Sequence, residues 1–325
     1  MNESHTTPRC SIVIRAFNEE QHLGRLLTGI SHQTLTDYEV VLVDSGSTDA
    51  TVAIARQYGA RIIHIAPEEF TFGRSLNLGI LAAQGEFIVI ASAHVYPVYP
   101  DWLEKMLAPF EDPQVALTYG RQRGGPGSKF SEGQYFARWY PERSDLRQAH
   151  PFCNNANSAI RRELWQQQQY DETLTGLEDL AWAKWAMDQG RRIAYVAEAE
   201  IVHLHDESPR KVYNRFRREA MAFKRIYPEE KFSLWDFLRL TTSNIVSDIG
   251  HAARQKALAK NLLTILWFRT MQFAGTYRGY RSSGPVTGPL RRIFYYPRGL
   301  QADEAASEAS SATRRAEPIR YQDPD

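Results

Sequence analysis

Glu178 and Asp179 form an adjacent carboxylate pair at the head of an apolar, helix-favouring run, Gly176-Leu177-Glu178-Asp179-Leu180-Ala181-Trp182. A helix from here through Asp188 places both in its first turn, where the positive end of the macrodipole holds carboxylates ionised. An ionised carboxylate on a rigid element can serve as a general base toward an alcohol; a pair of ordinary helix-terminal charges is the competing reading. Asn154, Asn155 and Asn157 precede a short apolar stretch. Their amides offer the donors and acceptors that sugar hydroxyls need, so they are read as acceptor-binding, although asparagine also favours turns. His203 and His205 alternate onto one face of an extended segment and, with His94, could build a nitrogen-rich phosphate or metal site, or serve structurally.

The elements that must position these groups follow from periodicity. Residues 11–16 read as a buried strand, followed by the polar turn 17–20 and a helix carrying Leu23, Leu26, Leu27 and Ile30. A second buried strand, 38–44, delivers Asp44 at its end, and a helix over 50–58 follows. Strand 61–65, helix 75–83 and strand 86–91 complete a β-α-β-α-β-α-β alternation. The fold class is therefore α/β: a mostly parallel sheet with helices on both faces. Ligands of such sheets bind beyond the carboxyl ends of the strands, where Asn18, Asp44 and residues 92–94 gather. Further along, the pattern predicts a helix over 101–110 and a strand over 115–119. A glycine-rich loop, 120–127, comes next, with Arg121 and Arg123 available to phosphates. Short strands over 192–196 and 199–202 precede helices over 209–226, 235–249 and 257–277. The chain divides into an N-terminal tail (1–9), a catalytic domain (10–208), a helical extension (209–281) and a largely flexible end (282–325). No G-x-G-x-x-G joins the first strand to its helix and no Walker A loop is present, which sets aside dinucleotide and P-loop binding.

What stands there instead is Ser11-Ile12-Val13-Ile14-Arg15-Ala16-Phe17-Asn18-Glu19, with Val43-Asp44-Ser45-Gly46-Ser47-Thr48-Asp49 after the second strand. Phe72-Gly73-Arg74-Ser75-Leu76-Asn77-Leu78-Gly79, Ala82-Ala83-Gln84-Gly85-Glu86 and residues 176–179 follow in order. Together they resemble the family 2 glycosyltransferases of GT-A (Rossmann-like) fold over roughly residues 10 to 205. The resemblance implies a nucleotide-sugar donor lying over the first four strands, near Ala16, Phe17, Asn18 and Glu19. Asp44 would contact the base, and Arg74 and Asn77 the ribose or phosphates. It also implies that Asp179, paired with Glu178, is the general base of an inverting transfer of a hexose to a glycan or lipid-linked acceptor. The family's Asp-x-Asp metal motif is replaced by Ser92-Ala93-His94, which removes both hard oxygen anions that Mg2+ or Mn2+ favours. Ser92 and His94 are thus expected at the donor phosphates, and metal independence is the favoured reading. A nitrogen-preferring ion on His94, His203 and His205 is the alternative. A donor that leaves as a nucleoside monophosphate would feel the loss of the carboxylates least.

The composition fits this class. In 325 residues, 43% are hydrophobic and the formal net charge is +1, so a large core is available and a wholly basic nucleic-acid binder is excluded. Cys10 and Cys153 lie far apart, outside any disulfide or zinc pattern, and the start of the chain lacks an apolar signal core. A cytoplasmic protein is expected, peripheral on the inner face of the plasma membrane through Arg210, Lys211, Arg215, Arg217, Arg218, Lys224 and Arg225 with the apolar stretch 262–268. Internal helical packing or a homodimer interface competes with that expectation. A non-catalytic nucleotide-sugar or glycan-binding protein and a sugar nucleotidyltransferase remain as alternative functions.

Overall fold

The computed structural model describes residues 7–125, 127–205, 207–282 and 316–321. The predicted alternation is present: β1 (Cys10–Ala16), α1 (Glu20–Ser31), β2 (Tyr38–Asp44), α2 (Thr51–Gln57), β3 (Arg61–His64), α3 (Phe72–Ala82) and β4 (Phe87–Ser92). Then come β5 (Val95–Pro97), α4 (Trp102–Leu107), β6 (Val115–Gly124), α5 (Phe130–Trp139), β7 (Asn157–Arg161), α6 (Arg162–Gln167), α7 (Glu178–Asp188) and β8 (Arg192–His203). They form one sheet in the order β3-β2-β1-β4-β7-β6-β8-β5. β1 pairs in parallel with β2 and β4, and β2 with β3; β7 runs antiparallel between β4 and β6.

Strands apolar on both faces need cover on both faces. Ile12, Ile14, Leu42 and Val89 pack in one layer with Leu23 and Leu27 of α1 and with Trp102 of α4. Val13, Val41, Ile88 and Ile90 pack in the other with Leu76 of α3 and Trp182 of α7. At Gly79 a Cβ would stand 2.5 Å from Val13 Cγ1, so only glycine lets α3 lie this close to β1.

Three expectations change. The glycine-rich stretch is no loop as far as Gly124: it is the second half of β6, paired with β8, which is itself one continuous strand. Its arginines do not wait for phosphate. Arg123 Nε lies 2.6 Å from Glu200, and Arg121 bridges Glu200 at 3.4 Å and Glu142 at 3.0 Å. Second, α5 occupies a region for which no element was predicted. Third, residues 316–321 are placed: Ile319 N–H donates to the Val98 carbonyl at 3.0 Å, and Tyr321 packs edge-on against Tyr96 and hydrogen-bonds the Pro97 carbonyl. The remainder of the expected flexible end, and residues 1–6, lie outside the described residues.

The helical extension is α8 (Pro209–Ile226), α9 (Leu234–Arg254) and α10 (Leu258–Tyr280). A buried arginine fastens it to α5: Arg269 of α10, held by an ion pair to Asp248 of α9 at 2.8 Å, donates to the Ser131 carbonyl at 3.2 Å. Much of the basic set on α8 also faces inward. Arg215 clamps Glu207, Lys224 donates to the Tyr280 carbonyl, Arg225 reaches Thr173, and Arg218 lies 4.5 Å from the Phe72 ring. Arg215, Arg218 and Arg225 join the extension to the sheet domain, and Lys224 ties α8 to α10, which corrects the reading of the whole cluster as membrane-facing. Among the described residues no helix is long and apolar enough to cross a membrane.

Candidate active site

At the carboxyl ends of β1 and β2 the two following turns are tied together. Asn18 sits at φ 53°, a left-handed conformation that asparagine tolerates. Its N–H donates to Ser47 Oγ at 2.9 Å and its Oδ1 accepts from Thr48 N–H at 2.8 Å, tying the turn after β1 to the turn after β2. The Ala16 carbonyl accepts from Ser45 N–H at 3.1 Å, and Phe17 is half-buried beside it. Asp44 is buried, with its carboxylate accepting N–H groups of Gly46 (3.2 Å) and Ser47 (3.1 Å) and lying 3.3 Å from the exposed His64. Arg74 stands at the rim, half in solvent, with Glu69 at 3.3 Å and Glu172 at 3.4 Å. Such exposed pairs contribute little and are readily exchanged.

The acid pair is where the sequence put it, but its electrostatics are reversed. Leu177, at φ 55°, turns the chain sharply into α7. Glu178 and Asp179 are then buried rather than solvated. Arg15 Nη1 donates to Glu178 Oε1 at 3.2 Å, and Asn155 touches both acids: its N–H donates to Asp179 Oδ2 at 2.9 Å and its Nδ2 to Glu178 Oε1 at 3.4 Å. Burial, and then the charge of Glu178, push the Asp179 carboxyl well above the usual carboxylate range, against the N–H groups of Asn155 and Leu180 and the cation of Arg15. Desolvation and a like charge thus outweigh the helix terminus that was expected to hold Asp179 ionised. The outcome is a stronger base in a dry setting.

Two of the expected acceptor ligands and one donor ligand turn inward. Asn157 is fully buried, its Oδ1 accepting from the Trp102 indole at 2.9 Å and its Nδ2 donating to the carbonyls of Ala199 (2.8 Å) and Arg121 (3.2 Å). Asn155, also buried, positions the acids as described. Asn77 uses both ends of its amide: Nδ2 donates to the Tyr170 carbonyl and Glu172, while Oδ1 accepts from the Trp165 indole and Tyr170 N–H. An amide with every donor and acceptor engaged has nothing left for a sugar or phosphate. Asn154 remains half-buried, with Oδ1 accepting from Gln122 at 3.2 Å.

The sequence reading missed Arg15. It lies opposite Ser92 in the β1–β4 register and 4.7 Å from the Phe72 ring, placing a cation beside both Glu178 and the end of β4. A single arginine in an otherwise apolar strand was the available signal. The histidine surroundings were missed as well: Glu132 on α5, Gln122 on β6, and Arg215 with Glu207.

Beyond β4 the ring of His94 stacks on His203 at 5.1 Å, and His203 lies 4.0 Å from His205, centroid to centroid. Nδ1 of His94 meets Glu19 at 2.9 Å, that of His203 meets Gln122 Oε1 at 2.8 Å, and that of His205 meets Glu132 at 2.6 Å. Burial disfavours the charged form of His94, but the charge and hydrogen bond of Glu19 outweigh it and raise its pKa. Burial, followed by the neighbouring His205, His94 and Arg215, holds His203 far below its ordinary value, as a neutral imidazole. A nitrogen from each of the three rings lies within 4.8 Å of the others. This set suits a nitrogen-preferring transition ion and is a poor fit for Mg2+.

A mostly parallel sheet with strand-end turns, a pair of buried acids at the head of a helix and a charged cluster after the fourth strand is the arrangement expected of the GT-A type of fold. The glycosyl transferase family 2 model matches residues 11–167, a little under half of the chain. The chain is 29% identical over 197 residues to an O-antigen chain rhamnosyltransferase of Salmonella anatum, covering 57% of this chain and 62% of that one. A second O-antigen chain rhamnosyltransferase, from Salmonella typhimurium, is 24% identical over 222 residues, covering 64% and 70%. Among solved structures, a mannosyltransferase of Pyrobaculum calidifontis in complex with GDP-mannose and Mn2+ superposes with a TM-score of 0.59 at 19% identity, covering 85% of this chain and 88% of that one.

Proposed function

We propose that this protein is an inverting hexosyltransferase that moves a sugar from a nucleotide donor to a hydroxyl of a cell-envelope glycan or lipid-linked acceptor. The observation that carries the reading is the buried Asp179, oriented by Asn155 and coupled to Glu178 and Arg15 at the carboxyl ends of the donor strands. A buried carboxylate of raised basicity can take the acceptor hydroxyl proton as that oxygen attacks the anomeric carbon. Asp44 and the Asn18 turn would receive the nucleoside, with Ala16, Phe17 and Glu19 lining it; Arg15 and Arg74 would face the phosphates, and Asn154 the acceptor. Ser92 and His94 lie at the leaving-group side. A divalent ion, when bound there, supplies positive charge to the departing phosphate. The relatives' names make rhamnose the first donor sugar to test and an O-antigen-type chain the first acceptor. A retained acid pair favours catalysis over mere glycan binding.

We place the enzyme in the cytoplasm, where Cys10 and Cys153, both free and buried, stay reduced. Its membrane contact would be the apolar face of α9 and α10, where Trp235 is 69% and Leu263 77% exposed. A second copy of the chain covering that face is the competing outcome. The deciding experiment for function is a panel of nucleotide sugars screened for binding and then for transfer, run with the parent and Asp179→Asn. The variant should keep donor binding and lose turnover by about three orders of magnitude. Turnover equal to the parent's overturns the assignment.

A further inference from the structure

We propose that His94, His203 and His205 form a three-nitrogen site for a single divalent transition ion, with Zn2+ and Co2+ preferred over Mn2+ and Mg2+ not accepted. The first argument is tautomeric. Glu19, Gln122 and Glu132 present acceptor oxygens to the three Nδ1 atoms, so each Nδ1 carries its proton. Each ring is left with the lone pair of Nε2. Metal-bound histidines show this same arrangement, with the far N–H given to a carboxylate or carbonyl that fixes the ring and raises its basicity. Here it occurs three times on adjacent rings.

The second argument is an orphaned atom. His203 is buried, and its Nε2 has no hydrogen-bond partner. A buried acceptor left unsatisfied is costly, and a metal ion would satisfy it. The third is reach. Three nitrogens around a tetrahedral ion at about 2.0–2.1 Å stand about 3.3 Å apart. The rings lie within 4.8 Å nitrogen to nitrogen, so contraction of the order of 1 Å closes the set. His94, part-exposed after β4, and His205, beyond the end of β8, are the members free to adjust.

The neighbouring group Glu132, His205 and Glu207 is a weaker candidate, since its acids are already engaged. Glu132 accepts from His205 and lies 3.5 Å from Arg215, and Glu207 accepts two bonds from Arg215 Nε and one from Nη2. It forms the outer layer of the histidine site. Three neutral ligands with no carboxylate among them select by softness and geometry, following the order in which Zn2+ and Co2+ exceed Mn2+. A role for the ion in gripping the donor phosphates rests on the proposed function; the metal site itself does not.

The test uses the full-length chain, free of affinity tag and stripped with chelator, titrated with Co2+ in the absence of donor and acceptor. Visible ligand-field absorption reports nitrogen coordination, and calorimetry gives stoichiometry. One equivalent should bind, be displaced by Zn2+ and persist in excess Mg2+. His203→Gln and His94→Ala should each weaken binding at least 100-fold, and Glu19→Gln 10- to 100-fold. Because His203 is buried, melting curves accompany its variant, and His94→Ala at the mouth decides the matter if the buried variant does not fold. No stoichiometric binding of Co2+ or Zn2+, or one equivalent retained by His94→Ala, overturns the proposal. So does metal-free protein that binds inorganic pyrophosphate through His94 and takes up no ion.

Discussion

Glu178→Gln separates the two causes that raise Asp179. Asn155 touches both carboxylates, Asp179 through its backbone N–H at 2.9 Å and Glu178 through Nδ2 at 3.4 Å, so the two charges are near neighbours; a separation of about 6 Å sets the scale of their repulsion. At an effective dielectric of about 20, their repulsion is of the order of 3 kcal/mol, or about 2 pKa units. Glutamine keeps the size and one acceptor for Arg15 and Asn155 while deleting the charge. Burial, the larger cause, remains. Asp179 must be deprotonated to accept a proton, so the parent's rate falls as pH drops through its raised pKa. In Glu178→Gln that acid limb should move down by about 2 units yet stay above the ordinary aspartate value of about 3.9. Arg15, no longer neutralised by a carboxylate at position 178, acts in the same direction. The assay is the pH dependence of kcat/KM from initial rates of nucleotide release, with Asp179→Asn as the blank. An inflection that stays put or rises refutes the coupling, and with it the assignment of the limb to Asp179.

Asp179 should also cost stability. Between its unfolded value of about 3.9 and its raised native value, the native state holds a proton that the unfolded chain has lost, so stability falls as pH rises through that window. Asp179→Asn should therefore melt higher than the parent at pH 8, by about 2–4 °C for each kcal/mol, with the gap closing toward pH 4; equal Tm at pH 8 contradicts this. Asn157→Ala leaves the Trp102 indole and two carbonyls unpaired in the core and should cost about 2–4 kcal/mol in chemical denaturation without changing acceptor KM. A changed KM at parental stability would return Asn157 to the acceptor site. Trp235→Ser with Leu263→Ser should reduce sedimentation with vesicles, whereas Arg210→Ser with Lys211→Ser should matter little; the reverse ranking restores the basic cluster as the membrane contact.

The first half of the sheet was legible because its central strands β1, β2 and β4 are largely buried and show as apolar runs, with glycine and aspartate turns between, while the short edge strand β3 is only partly buried. The second half was not. β6 continues through Gly120-Arg121-Gln122-Arg123-Gly124, a composition that signals a loop, because Glu200 on the neighbouring strand neutralises both arginines and the β8 ladder accepts the backbone. Only the partner strand makes that stretch a strand, and a partner some 80 residues away leaves no trace in local pattern. α5 was hidden for a related reason: its Gly133 weakens the helical signal, and its place is fixed by packing against α9 and α10.

Within the site, the sequence named residue types well and directions poorly. Asn155 and Asn157 were chosen because amides suit sugars, and Asn77 because the family resemblance implies a donor contact, yet an amide suits any place where donor and acceptor must be met at once. The junctions of α3, β7 and α7 supply such places in the core. What separates the two uses is whether the partners are on the chain already, and that depends on distant contacts such as Trp102 with Asn157 and Trp165 with Asn77. The histidines show the opposite case. Their alternation gave the shared face of His203 and His205, but the acceptors that fix each Nδ1 come from α1's leading turn, β6 and α5, all at least 70 residues away in sequence from the histidines they hold. A nitrogen-lined site can therefore replace a carboxylate one only if those outer acceptors are present too. Substituting Glu19 or Glu132 tests that dependence more directly than substituting the histidines themselves.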